Sequence, residues 1–156
     1  MRADRLIQLG IVLPPVFPPA GNYLACVIDD GLVHVGGHGP IDGDHIVRGK
    51  VGGDLSLEEG RAAARLTALS ILATLQAELG DLDRVERIVK VFGMVNVAPG
   101  FNQTPAVTLA APSVWPSCPS TSPSRSSWLP GSGSADGSIV RASARSPGRW
   151  RTTSGS

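Results

Sequence analysis

The character of this chain changes at Thr108, and that change limits what it can build. Beyond it Pro112, Pro116, Pro119 and Pro123 recur at three- and four-residue intervals. A proline in a helix interior removes a backbone donor and clashes with the preceding turn, at about 3 kcal/mol each. The second helix that residues 101–108 would begin therefore gains no apolar stripe. Residues 109–156 hold Trp115, Trp128 and Trp150, all three tryptophans of the chain, but no lysine and no glutamate. Such Ser/Pro-rich sequence cannot offset an ordering cost of about 1–2 kcal/mol per residue. The expected organisation is an ordered part, 1–108, and a mostly disordered tail, 109–156.

Charge divides at the same place. Residues 1–108 carry nine Lys+Arg against twelve Asp+Glu, whereas the tail has five arginines against the single Asp136. Those arginines (Arg125, Arg141, Arg145, Arg149 and Arg151) are scattered among Ser, Pro and Gly, not clustered on one face, so nucleic-acid binding is not expected. Cys26 and Cys118 stand alone, which gives neither a disulfide framework nor a CxxC metal spacing and fits a reduced, cytoplasmic setting. No stretch approaches the roughly twenty apolar residues of a membrane span, and the N-terminus lacks a secretory-signal pattern. A soluble protein is expected.

The first residues read as a short helical turn stopped at Gly10, followed by a Pro-rich extended segment lying across a sheet. A polyproline ligand for another protein is the alternative. "YLACVIDDGLVHVGGHGPI" contains two β-rich runs joined by Asp29-Asp30-Gly31, a hairpin signal. Gly36, Gly37 and Gly39 then allow a close backbone approach or a turn before Pro40.

Ser56 with Glu59 three residues later forms a capping box. It opens a helix whose apolar positions, Ala62, Leu66, Leu69, Leu72, Ala73, Leu75 and Leu79, share one face and which Gly80 ends. "RVERIVKVFGMVNVAPGF" returns to strand chemistry. Its near-continuous apolar run from Ile88 to Val97 suggests a strand covered on both sides, by the helix and by another subunit.

With the elements in this order, "PPAGNYLACV", "LVHVGGHGPI", "GKVGGDLSLEEGRAAARLTALSILATLQAELGDLDRVERIVKVFGMVNVAPGF" and "FNQTPAVT" resemble the reactive intermediate deaminase family (RidA/YjgF, also labelled endoribonuclease L-PSP or chorismate mutase-like). The resemblance covers residues 1–108. It implies an α+β, chorismate mutase-like fold with helices on one face of a mixed sheet, here with an incomplete or disordered C-terminal third. It also implies a homotrimer with clefts between subunits, no metal or organic cofactor, and hydrolysis of enamine or imine intermediates such as 2-aminoacrylate to a 2-keto acid and ammonia. In that chemistry an arginine fork grips the substrate carboxylate and a carboxylate orients water for attack on the imine carbon.

Carried across, Tyr23 matches a tyrosine lining the family's cleft, although a tyrosine capping the sheet edge reads equally well. Gly36 and Gly37 match a small-residue turn whose backbone faces the ligand. His38 occupies a place where Gln is common and is a candidate substrate contact. His34, His38 and His45 lack a carboxylate or cysteine at ligand spacing, so no metal site is expected.

After Thr108 the resemblance implies a second amphipathic helix, an Arg-bearing strand and a last strand supplying the acid. The tail shows no strand with a suitable arginine and no glutamate, so the catalytic residues cannot be assigned. Ser/Pro/Arg/Trp-rich text is what a frame shift in a GC-rich gene yields, and such a shift near the Thr108 codon is the explanation adopted. A natural interaction tail is the alternative. The expected function is the lineage's deaminase chemistry, impaired or lost here; the alternative is a non-enzymatic small-ligand or protein-binding oligomer. Ribonuclease chemistry lacks a paired His or Lys–carboxylate constellation.

Overall fold

The computed structural model describes residues 2–18, 21–108 and 138–144. Helix α1, Arg2–Gln8, is closed by Gly10 at φ 62°. The Gly10 N–H donates to the Ile7 carbonyl and the Ile11 N–H to the Leu6 carbonyl, both at 2.9 Å. This is a Schellman closure, with its usual apolar contact between the residues it bonds: Leu6 is buried and Ile11 packs on the same core, as does Leu13. The Pro-rich lead is thereby tied to the body through its aliphatic residues.

Strands β1, Cys26–Asp29, and β2, Leu32–His38, form the expected hairpin, with Asp29 opposite Leu32. Asp30 and Gly31 take φ of 44° and 74°, the left-handed pair that a two-residue turn needs to match strand twist. A smaller hairpin comes next, β3, Ile41–Asp42, with β4, His45–Ile46.

Helix α2, Leu57–Leu79, carries both halves of the capping box, and Gly80 ends it at φ 77°. Its buried face includes Thr67, Ala68, Leu69, Ile71, Leu72, Thr74, Leu75 and Leu79, while Ala62 is exposed. Leu69, Leu72, Ala73, Leu75 and Leu79 of the expected stripe are buried and Leu66 is half-buried, and the face also takes in two threonines. Thr67 satisfies its hydroxyl on the Ala63 carbonyl at 3.0 Å, a local bond that lets it lie against apolar neighbours.

After a 3₁₀ turn at Leu82–Arg84, strand β5 runs Val85–Phe92 and α3 spans Thr104–Thr108. Strand β6, Ser138–Ala144, lies between β2 and β5, so the main sheet has the order β1-β2-β6-β5. All its ladders are antiparallel, which makes β2 and β5 parallel to each other across β6, a split β-α-β arrangement. The α+β class, with α2 against one sheet face, is as expected.

The expectation that the tail contributes no strand is corrected: Arg141 pairs in register with His34 on one side and Lys90 on the other. β6 holds because both its ladders are supplied by strands formed elsewhere, so it needs little strand preference of its own. The rest of the expected disordered tail lies outside the described residues.

The core joins Leu6, Val33, Val35, Ile71, Leu75, Leu79, Leu82 and Val85 on the helix side of the sheet. Within the single chain, β5 is not covered on both sides: Val89, Val91, Phe92 and Met94 remain 42–48% exposed. Among the described residues no helix is long and apolar enough to cross a membrane.

Candidate functional site

Tyr23 precedes the edge strand β1 and is 48% exposed. Its ring lies between two positions that lack side chains. A Cβ on Gly21 would sit 3.5 Å from ring atoms Cδ1 and Cε1, and one on Gly36 would sit 3.8 Å from Cδ2. These are ordinary contact distances, so the glycines leave backbone accessible without being demanded by steric conflict. The Tyr23 N–H donates to the Gly21 carbonyl at 2.9 Å, and the Gly36 N–H donates to the Ala25 carbonyl at 2.8 Å. Tyr23 and Gly36 therefore lie together at the end of the hairpin, with the exposed Gly37 next in sequence.

The pairing of β2 with β6 is irregular there. Val35 faces Val140, and the next aligned pair is His38 with Ser138. Two residues, Gly36 and Gly37, are thus opposed by residue 139 alone. Such a bulge inserts one residue, and the side-chain alternation of the strand shifts by one. Regular alternation from the buried Val33 and Val35 would place His38 on the side of His34. With the extra residue it turns toward α2.

There the His38 Nδ1–H donates to the Gly36 carbonyl at 2.9 Å, and Nε2 meets Thr74 Oγ1 at 2.8 Å. Thr74 is 1% exposed. Both ring nitrogens of His38, a candidate substrate contact, are thus engaged within the protein, and the ring is half-buried. Thr74 is the residue that sequence reasoning missed. Its signal was a hydroxyl inside an otherwise apolar helix face, where a buried polar group requires a partner.

Cys26 also faces the helix side. Burial, and secondarily the charge of Glu78, push its thiol up to about 11, so it is a packing residue and not a nucleophile at neutral pH. Among the described residues no group of three His, Cys, Asp or Glu is gathered as a metal site would require.

Residues 3–113 match the family model for YjgF/chorismate mutase-like endoribonucleases. Protein TCP17 of Trypanosoma cruzi is 43% identical over 102 residues, which is 65% of this chain and 64% of that protein's length. The chain thus matches somewhat less than two thirds of that relative. A crystal structure of a candidate endoribonuclease from Shewanella oneidensis MR-1 superposes with a TM-score of 0.76 at 23% identity, covering 92% of this chain and 99% of the other. That likeness concerns the fold. The protein Atu1372 of Agrobacterium tumefaciens gives a TM-score of 0.74 at 28% identity, covering 93% and 94% of the two chains.

Proposed function

We propose a function for this chain from one premise: it belongs to the YjgF/chorismate mutase-like endoribonuclease family. Its site takes small 2-imino or 2-enamino acids, and their turnover is impaired or lost. In the lineage's chemistry 2-aminoacrylate tautomerises to 2-iminopropanoate. Water then adds to the imine carbon, and ammonia leaves to give pyruvate. The water must lose a proton and the nitrogen must gain one, so a positioned acid–base group accelerates the step by roughly 10²–10⁴.

The observation that carries the reduced turnover is compositional and positional. Beyond Thr108 the chain has no glutamate and only Asp136 as a carboxylate. The described part of that segment supplies the strand β6. Substrate binding can persist at Tyr23, Gly36 and Gly37 while water activation is lost. The family match ends at residue 113, close to where the composition changes, which supports the reading that a frame shift replaced the C-terminal third. Sequencing the gene and translating all three frames across this point tests that origin. A continued Ser/Pro-rich text with no family-like alternative frame removes it.

The activity test is ammonia release from enzymatically generated 2-aminoacrylate. Little acceleration over the spontaneous reaction is expected, and strong acceleration overturns the impairment. A second reading, a non-enzymatic oligomer that binds small ligands or proteins, is favoured by the exposed Val27, Val89, Val91, Phe92 and Met94. Large apolar side chains left exposed on β1 and in and after β5 favour association. Self-association as a homotrimer in a reducing, cytoplasmic setting belongs to the same proposal, and light scattering on the eluting protein tests the assembly.

A further inference from the structure

His38 and Thr74 form a polar link between the bulged strand and the buried face of α2. A carbonyl only accepts, so the 2.9 Å bond to Gly36 requires the proton on Nδ1. In the neutral ring Nε2 is then an acceptor, and the Thr74 hydroxyl donates to it across 2.8 Å. The tautomer is set by the partners.

We infer that this pair is a clasp that orients the Gly36–Gly37 peptide, which makes His38 a positioning residue for the ligand site. No peptide among the described residues is cis, and a planar trans peptide directs its C=O and N–H in opposite directions. Holding the Gly36 carbonyl toward the His38 ring therefore fixes the Gly37 N–H pointing away from that ring. The Gly36 N–H is committed to Ala25 at 2.8 Å, so the residue is anchored at both of its backbone groups.

The bulge places Gly37 at a break in the β2–β6 ladder, where regular pairing does not fix its N–H. Where two residues oppose one, the extra residue is left out of the ladder, and Gly36 and Gly37 oppose residue 139 alone. Gly37 is exposed and follows Gly36, whose bare backbone borders the Tyr23 ring. An N–H with no side chain beside it suits the carboxylate or 2-oxo oxygen of a small 2-oxo or 2-imino acid. The chemical class of ligand rests on the function proposed above; the clasp itself does not.

The test is ¹⁵N NMR on the full chain and on the variants His38→Ala, His38→Gln and Thr74→Val, each titrated with pyruvate. The free protein should show His38 as the Nδ1–H tautomer, and the Gly37 amide should move on pyruvate addition. His38→Ala should displace the Gly37 amide resonance before any ligand is added and weaken pyruvate about tenfold, the scale of one charge-assisted hydrogen bond. His38→Gln, whose amide can donate to Gly36 and accept from Thr74, should restore both. A purely structural role would lower stability without this rescue at Gly37.

An unmoved Gly37 resonance in His38→Ala, or unchanged pyruvate affinity, overturns the clasp. If pyruvate perturbs no residue of the unmutated chain, the proposed function falls and the clasp is judged on the ligand-free Gly37 resonance alone. Should His38→Ala fail to fold, Thr74→Val, which keeps the ring, decides by the same readouts.

Discussion

Gly60 lies directly beneath Val51: a Cβ at Gly60 would stand 2.8 Å from Val51 Cγ2 and 3.1 Å from its Cγ1. Val51 is itself fixed, because its N–H donates to the Asn96 carbonyl at 3.0 Å and its own carbonyl accepts from the Ala98 N–H at 3.0 Å. The first turns of α2 are thereby pressed onto the segment that comes after β5.

Replacing Gly60 by alanine should destabilise the fold, although alanine is the better helix former by about 1 kcal/mol. Overpacking a buried contact costs about 1–3 kcal/mol, and neither the helix nor Val51 can retreat freely. The expected net loss is about 1 kcal/mol in urea unfolding. The double variant Gly60→Ala/Val51→Ala should recover part of it, since the clashing methyls are gone. A Gly60→Ala protein more stable than the parent would show that the contact is loose.

The capping box gives a pH-dependent prediction. The Ser56 N–H donates to Glu59 Oε2 at 2.8 Å and the Ser56 hydroxyl at 2.7 Å, while the Glu59 N–H donates to Ser56 Oγ at 3.2 Å. The Ser56 backbone bond first, and its hydroxyl second, hold the Glu59 carboxyl below its ordinary 4.5. A depressed folded-state value means that the contribution is present above 4.5 and is lost as pH falls through the lower folded value. Ser56→Ala should cost about 1 kcal/mol near neutral pH through the lost cap. It should also flatten, without abolishing, the fall in stability on acidification, because the backbone bond remains.

Cys26 titrates in the opposite sense. Its thiol is raised from 9.0 to about 11, so the folded state keeps its proton longer. That contribution is complete below 9.0 and fades as pH rises toward the folded value. Near pH ~8 the native thiolate fraction falls roughly a hundredfold relative to an unperturbed cysteine. Iodoacetamide labelling of Cys26, followed by peptide mass spectrometry, should be slow in buffer and rapid in denaturant. Equal rates in the two would mean that the strand is not packed as described.

The local features and the long-range ones were legible in the sequence to different degrees, for a physical reason. The box at Ser56 and Glu59, the Asp30-Gly31 turn and the stop at Gly10 are decided by residues a few positions apart, so the local text suffices. The direction of His38 depends on a bulge, and the bulge exists only through the pairing of β2 with β6, about a hundred residues onward. Thr74 and Thr67 look unsuited to a buried face until His38 and the Ala63 carbonyl are seen to satisfy them. Strand β6 was hidden by its surroundings: "SIVRASA" alternates weakly and sits in Ser/Gly-rich text, and its order is imposed by the two ladders that flank it.

That dependence makes Val140 the sharpest test of the architecture. It is paired with Val35 on one side and Val91 on the other, so it occupies the middle of a central strand. Proline there cannot donate to a ladder and is confined to edges and bulges in stable sheets. Val140→Pro should cost about 3 kcal/mol or more, a large share of the roughly 5–15 kcal/mol that holds a domain together. Near-UV circular dichroism should fade, and amide protection should drop at Val33 and Val35 as well as in β5, because β6 is what joins them. A Val140→Pro chain that unfolds like the parent would show that β6 contributes nothing to the sheet. The order β1-β2-β6-β5, and with it the bulge that turns His38 inward, would then have to be abandoned.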